Sequence, residues 1–169
     1  QSRSSAASDV YKRQVFFACS GSEANESAVK IAWSFHRSNE EASRKKIIAQ
    51  QKSYHGSAIY SAQMSGSPMM HEHQNAEIPD IIFVTEPDAN RHKLQKETTK
   101  DFVERLATNL ENLILREGPE IIAAFIAEPV MGVGGVIIPP KNYFEKVQKI
   151  LSKYGVLLIA DCLLYTSPS

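Results

Sequence analysis

The chain has 169 residues, 43% of them hydrophobic and 22% charged, enough to bury a core in at most one or two domains. Its 19 basic and 19 acidic residues leave a formal net charge of +0, which gives no long-range field to recruit nucleic acid or an anionic membrane, and no apolar stretch approaches a membrane span. Cys19 and Cys162 form neither a C-x-x-C pair nor a disulfide framework, and the N-terminus lacks an apolar signal core, so a cytoplasmic setting is expected.

Residues 1–14 (QSRSSAASDVYKRQ) are polar and aperiodic, and residues 162–169 (CLLYTSPS) break in abruptly after an apolar strand. Both resemble translated adapter sequence and are expected to be non-native tails around an informative domain at 15–161; the plainer alternative is a disordered arm and a strand extension. Residues 15–19 read as a strand. A helix is predicted over 21–38, with Ala24, Ala28, Ile31, Ala32 and Phe35 on one core-facing stripe. Residues 46–50 read as a short strand, and Ser53-Tyr54-His55-Gly56 turns the chain into a second helical segment ending near Gly66. Residues 67–80, with Pro68 and Pro79, form a long irregular loop before a strand at 81–84. Phe102, Leu106, Leu110, Leu113 and Ile114 mark a helix stopped by Gly118-Pro119. The apolar strand 121–127 ends at Glu128-Pro129, a turn with Gly132, Gly134 and Gly135 follows, and a helix carrying Tyr143, Val147, Ile150 and Leu151 leads to a strand at 156–160. Strands that are apolar throughout, alternating with helices, argue for an α/β domain around a largely parallel, buried sheet.

Ligands in such sheets collect at the carboxyl edge of the strands, so the polar residues there matter most. Ser20-Gly21-Ser22-Glu23 opens the first helix: glycine permits close backbone approach, serine offers a hydroxyl, and the first helical amides are free to hold an anion such as a phosphate. Taken alone, the same four residues are an ordinary helix cap with a capping-box acid. Asp161, at the end of an apolar strand, needs a cation or donors to be desolvated, and Tyr54 lies near the same edge, where it can stack on a planar ring. Cradle, ring and carboxylate together describe a pocket for pyridoxal 5′-phosphate, whose pyridine nitrogen must stay protonated. His71-Glu72-His73, with His92 nearby, lacks a defined third metal ligand and reads as solvated loop; no metal is expected. The glycines at 132, 134 and 135 miss the G-x-G-x-x-G spacing and read as backbone clearance, and Cys19 has no activating base.

Residues 16–33 (FFACSGSEANESAVKIAW), Ser53-Tyr54-His55-Gly56, and 123–161 resemble the class III aminotransferases, fold-type-I pyridoxal-phosphate enzymes, and are similar to their omega-amino-acid:pyruvate branch. The resemblance implies a three-layer α/β/α fold with a mainly parallel sheet, here part of the large domain. It also implies cofactor contacts: Gly21 and Ser22 on the phosphate, Tyr54 on the ring face with His55 and Gly56 shaping the turn beneath, Asp161 on the pyridine nitrogen, and Glu128 ordering this aspartate and the substrate side. Val133 stands where some relatives carry a second glutamate, which leans away from the ornithine branch. Cys162 replaces the glutamate of the family pattern, and the lysine that binds the cofactor covalently lies beyond Ser169, as does a threonine supplied across the dimer. The resemblance therefore implies an internal fragment with no catalytic residue of its own. Its parent, a homodimer or homotetramer, would move an amino group by a ping-pong route from an amine or omega-amino acid to a keto acid such as pyruvate. The alternatives are a decarboxylase or aminomutase using the same cofactor, or a non-catalytic phosphate-binding fragment.

Overall fold

Four short apolar runs form one parallel sheet because none carries a proline and each alternates its side chains between two helical layers. The computed structural model describes residues 15–72 and 80–161. In chain order the elements are α1 (Gly21–Ser38), β1 (Lys46–Gln50), α2 (Ile59–Met64), β2 (Ile81–Val84), α3 (Ala89–His92), α4 (Thr99–Glu117), β3 (Ile122–Ala127), α5 (Tyr143–Lys153) and β4 (Leu157–Ala160). The strand order is β2-β1-β3-β4 and every pairing is parallel, with Ile48 opposite both Ile82 and Phe125, and Phe125 opposite Leu158. β3 is buried along its whole length, while the edge strands β2 and β4 are only partly covered.

On one face Ile48, Phe125 and Ala127 pack with Phe102, Leu106, Leu110 and Ile114 of α4 and Val147 and Leu151 of α5. On the other, Ile47, Ala49, Ala124 and Ile126 meet Val29 and Ala32 of α1 and Met64 of α2. This is the expected three-layer α/β/α arrangement. α4 starts at Thr98, whose side chain accepts from the Asp101 amide, and stops at Gly118 with φ +97, a conformation that glycine adopts without strain. Among the described residues no helix is long and apolar enough to cross a membrane.

Two expectations about the first elements are corrected. Residues 15–19 do not form a strand, and Val15, Phe16 and Phe17 are exposed. An apolar run becomes a strand only where an edge takes its amides, and the described sheet is paired without it. The buried face of α1 is also rotated from the predicted stripe: Asn25, Val29, Ala32 and His36 are buried, whereas Ile31 and Phe35 are exposed. Polar Asn25 and His36 can turn inward because each meets hydrogen-bonding groups there. His36 presents Nδ1 to Glu41 Oε2 at 3.0 Å and Nε2 to the Ala123 carbonyl at 2.9 Å.

The described part of the loop at 67–80 includes a 3-10 turn, Pro68–Met70, while residues 73–79, His73 and Pro79 among them, lie outside the described set. The helix α3 was not foreseen, and Ile121 belongs to a 3-10 turn rather than to β3. The tails expected at 1–14 and 162–169 also lie outside the described residues.

Candidate active site

Because the sheet is parallel, the segments leaving β1, β3 and β4 emerge on one edge, where the N-terminus of α1 also lies. There Gly21, Ser22, Tyr54, His55, Glu128 and Asp161, all six residues nominated from sequence, line one cavity of 320 Å³. Asn25, Gly56, Gly132 and Val133 complete its wall. Two larger clefts, of 470 and 520 Å³, lie elsewhere, so convergent chemistry rather than volume picks out this site.

The cap at the start of α1 leaves two amides free among the described residues. Ser20 Oγ accepts from the Glu23 amide at 3.2 Å and Glu23 Oε2 accepts from the Cys19 amide at 2.7 Å, while the amides of Gly21 and Ser22 meet no acceptor among the described residues. These two N–H groups sit at the positive end of an 18-residue helix. Ser22 Oγ accepts from the Ser57 amide at 3.0 Å, tying the helix start to the loop after β1. Glu26 Oε1, one turn on, accepts from the amides of Tyr60 and Ser61 at 3.2 Å each and so caps α2.

Asp161 continues the line of β4, its amide donating to the Ala127 carbonyl at 3.0 Å. Its Oδ2 takes two donors, Asn25 Nδ2 and His55 Nδ1, each at 2.8 Å. Its Oδ1 accepts nothing from the described residues. His55 is nearly fully buried, with its amide on Ser65 Oγ at 2.8 Å and its Nε2 without a partner among the described residues.

Here too the structure corrects the sequence reading. Glu128 makes no hydrogen bond to Asp161; its Oε1 accepts from the Tyr54 amide at 2.8 Å and its Oε2 from the Gly132 amide at 3.2 Å. It therefore fixes the aromatic loop and the glycine turn, and Asp161 is ordered instead by Asn25 and His55. Burial pushes the Glu128 carboxyl above its ordinary value, opposed by the Tyr54 amide, the His55 side chain and the Gly132 amide. His55 does more than shape a turn, since it bonds Asp161 directly. Asn25 was missed altogether; the signal was its place on the same helical face as Val29, Ala32 and His36.

Two lysines are partly buried and paired: Lys46 with Glu117 at 3.0 Å and Lys52 with Glu86 at 3.5 Å. None of the described lysines lines the cavity. His71 and His92, read as solvated, are not: His71 Nε2 bonds the Ser65 carbonyl at 2.6 Å, and His92 Nε2 lies 2.9 Å from Oε1 of buried Glu86. The glycine turn needs its clearance, because a Cβ on Gly134 would stand 2.7 Å from the Lys52 carbonyl.

A family model described as aminotransferase class-III matches residues 4–163, a span that runs past both 15 and 161. The chain belongs to the class-III aminotransferases. It is 55% identical to a probable gamma-aminobutyrate transaminase 3, mitochondrial, of Oryza sativa subsp. indica, over 88% of this chain and 29% of the relative. A gamma aminobutyrate transaminase 3, chloroplastic, of Solanum lycopersicum is 53% identical over 88% of the chain and 28% of the relative. Among solved structures, the omega transaminase from Pseudomonas jessenii in complex with PMP superposes with a TM-score of 0.83 at 44% identity, covering 86% of this chain and 32% of that one. A transaminase with L-ala does so with a TM-score of 0.82 at 47% identity, covering 85% and 34%. The chain thus spans less than a third of the length of these curated relatives. In the class-III aminotransferase fold seen here, the Ser-Gly-Ser-Glu-Ala-Asn run supplies the cap, two amides that meet no acceptor among the described residues, and the Asp161 donor within two helical turns.

Proposed function

We propose that this chain is the cofactor-holding part of a pyridoxal-phosphate-dependent aminotransferase that takes an amino group from an omega-amino acid of the gamma-aminobutyrate type and passes it to a keto acid such as pyruvate. The observation that carries the reading is one cavity in which two helix-terminal amides and one carboxylate oxygen, all without a partner among the described residues, meet. That donor and acceptor set fits the cofactor. The amides of Gly21 and Ser22 would hold its phosphate, Asp161 Oδ1 would accept from its ring N–H, and the Tyr54 ring would cover its face. When bound, pyridoxal phosphate supplies an electron-withdrawing ring that stores the electron pair left as a proton departs from the carbon bearing the amino group.

The chain's own residues bind and orient. Glu128 holds the Tyr54 loop and the Gly132 turn against the cavity, and Asn25 and His55 hold Asp161. No described lysine lines the cavity; the lysine that the family resemblance implies for the proton transfer at the substrate carbon would come from outside the described residues. We extend the proposal to a homodimeric parent. The cytoplasm is the compartment proposed from cysteine usage, against the organelle names of the rice and tomato relatives; imaging the tagged longer protein decides between them. The activity test uses the longer protein containing this segment, supplied with gamma-aminobutyrate and pyruvate. Alanine should form, and Asp161→Ala should lower the rate at least a hundredfold, the scale of losing a charge-stabilising partner of the ring. Absence of alanine with every omega-amino acid tried would overturn the reading.

A further inference from the structure

A primary amide has two N–H groups on one nitrogen, and Asn25 commits both of them. Asn25 Nδ2 donates to the His55 carbonyl at 2.7 Å and to Asp161 Oδ2 at 2.8 Å, from a side chain only 6% exposed. His55 Nδ1 supplies the second donor to the same carboxylate oxygen at 2.8 Å. One side chain on the second turn of α1 therefore joins the loop after β1 to the end of β4 on the wall of the cavity. We propose that Asn25 is a positioning residue that selects Asp161 Oδ1 as the oxygen offered to the cofactor ring and keeps the shared proton on the ring nitrogen. This rests on the reading of the cavity as a pyridoxal-phosphate site.

Two physical effects carry it. Rotating the carboxylate breaks both bonds to Oδ2, so the donors fix its plane and leave Oδ1 for a ligand. Each N–H given to Oδ2 also disperses the carboxylate's negative charge, which lowers its pull on a proton lying between Oδ1 and a ring nitrogen. A residue that merely tied the two segments together would produce neither selection.

The test uses the full 169-residue chain and pyridoxamine 5′-phosphate labelled with nitrogen-15 in the ring, a probe that needs no lysine to bind. In the wild type the ring signal should lie in the protonated pyridinium range. Asn25→Ala should weaken binding about tenfold, the scale of one charge-assisted hydrogen bond, and move the ring signal toward unprotonated pyridine. Asn25→Asp keeps the volume but sets a second carboxylate against Asp161, and should move the signal further. A measurement on the unmutated chain stands beside these in case a variant does not fold. The Asn25 side-chain amide protons should shift on adding the labelled probe and stay in place with inorganic phosphate, which fills only the cradle. Ring signals unchanged in both variants, or Asn25 protons that ignore the probe or follow phosphate alone, would overturn the inference and leave the cofactor reading intact. Failure of the wild-type chain to bind the probe would remove both.

Discussion

Gly56 has two independent reasons to be glycine. Its φ of +131 strains any L side chain, and a Cβ there would overlap Ser22 Oγ and stand 2.8 Å from Ser61 Oγ. Gly56→Ala should therefore cost about 1–3 kcal/mol in a urea titration and displace the Ser22 hydroxyl, weakening pyridoxamine phosphate as well. Glu128 gives a prediction in pH. Its carboxyl is raised by burial, so it favours the folded state below its ordinary value near 4.5, and that contribution is lost as pH climbs through the raised folded value. Glu128→Gln should flatten this limb of a stability-against-pH profile measured by denaturant midpoint. It should also leave either the Tyr54 or the Gly132 amide without an acceptor, since an amide offers one oxygen where the carboxylate offers two. From sequence, Gly21, Ser22 and Asp161 were legible because each sits at a helix start or just past a strand end, and Tyr54 because it follows β1 by a short loop. The partners of Asp161 were not, because they come from 136 and 106 residues away along the chain.

At the scale of the element, α1 shows why periodicity alone misplaced a face. Alanine-rich helices have a shallow hydrophobic contrast, so a stripe joining Ala32 to Ile31 and Phe35 reads as well as one joining Ala32 to Val29. The neighbours decide it. His36 meets acceptors at both ring nitrogens and Asn25 meets two more, and burying these paired groups is less costly than leaving the Ala123 carbonyl and the His55 carbonyl unsatisfied. Val29→Ala should lower stability by about 1–3 kcal/mol, whereas Ile31→Ala should stay within about 0.5 kcal/mol of the wild type, both read from urea midpoints. Equal losses at the two positions would contradict the observed rotation. The longer helix α4 was easier to read, because a fully apolar stripe runs along it from Phe102 to Ile114 between a threonine cap and a glycine stop.

For the whole molecule, the parallel sheet leaves an edge strand, β4, partly open, and Val15, Phe16 and Phe17 reach solvent with Phe17 79% exposed. Contiguous exposed aromatics drive association. Expressed alone, the chain should self-associate, and replacing Phe16 and Phe17 together by serine should reduce the oligomer fraction in sedimentation velocity without moving the urea midpoint. The amino-acid sequence by itself determined the alternation of buried strands and helices, the layered α/β class and the polar residues at strand ends. Those follow from local periodicity and from the cost of burying a carboxylate. Only the tertiary structure decided that residues 15–19 stay unpaired, which face of α1 turns inward, and that Asn25 and His55 rather than Glu128 hold Asp161. Each of those choices depends on which distant donor or acceptor reaches a given atom, and hydrogen bonds of that span leave no local pattern in the chain.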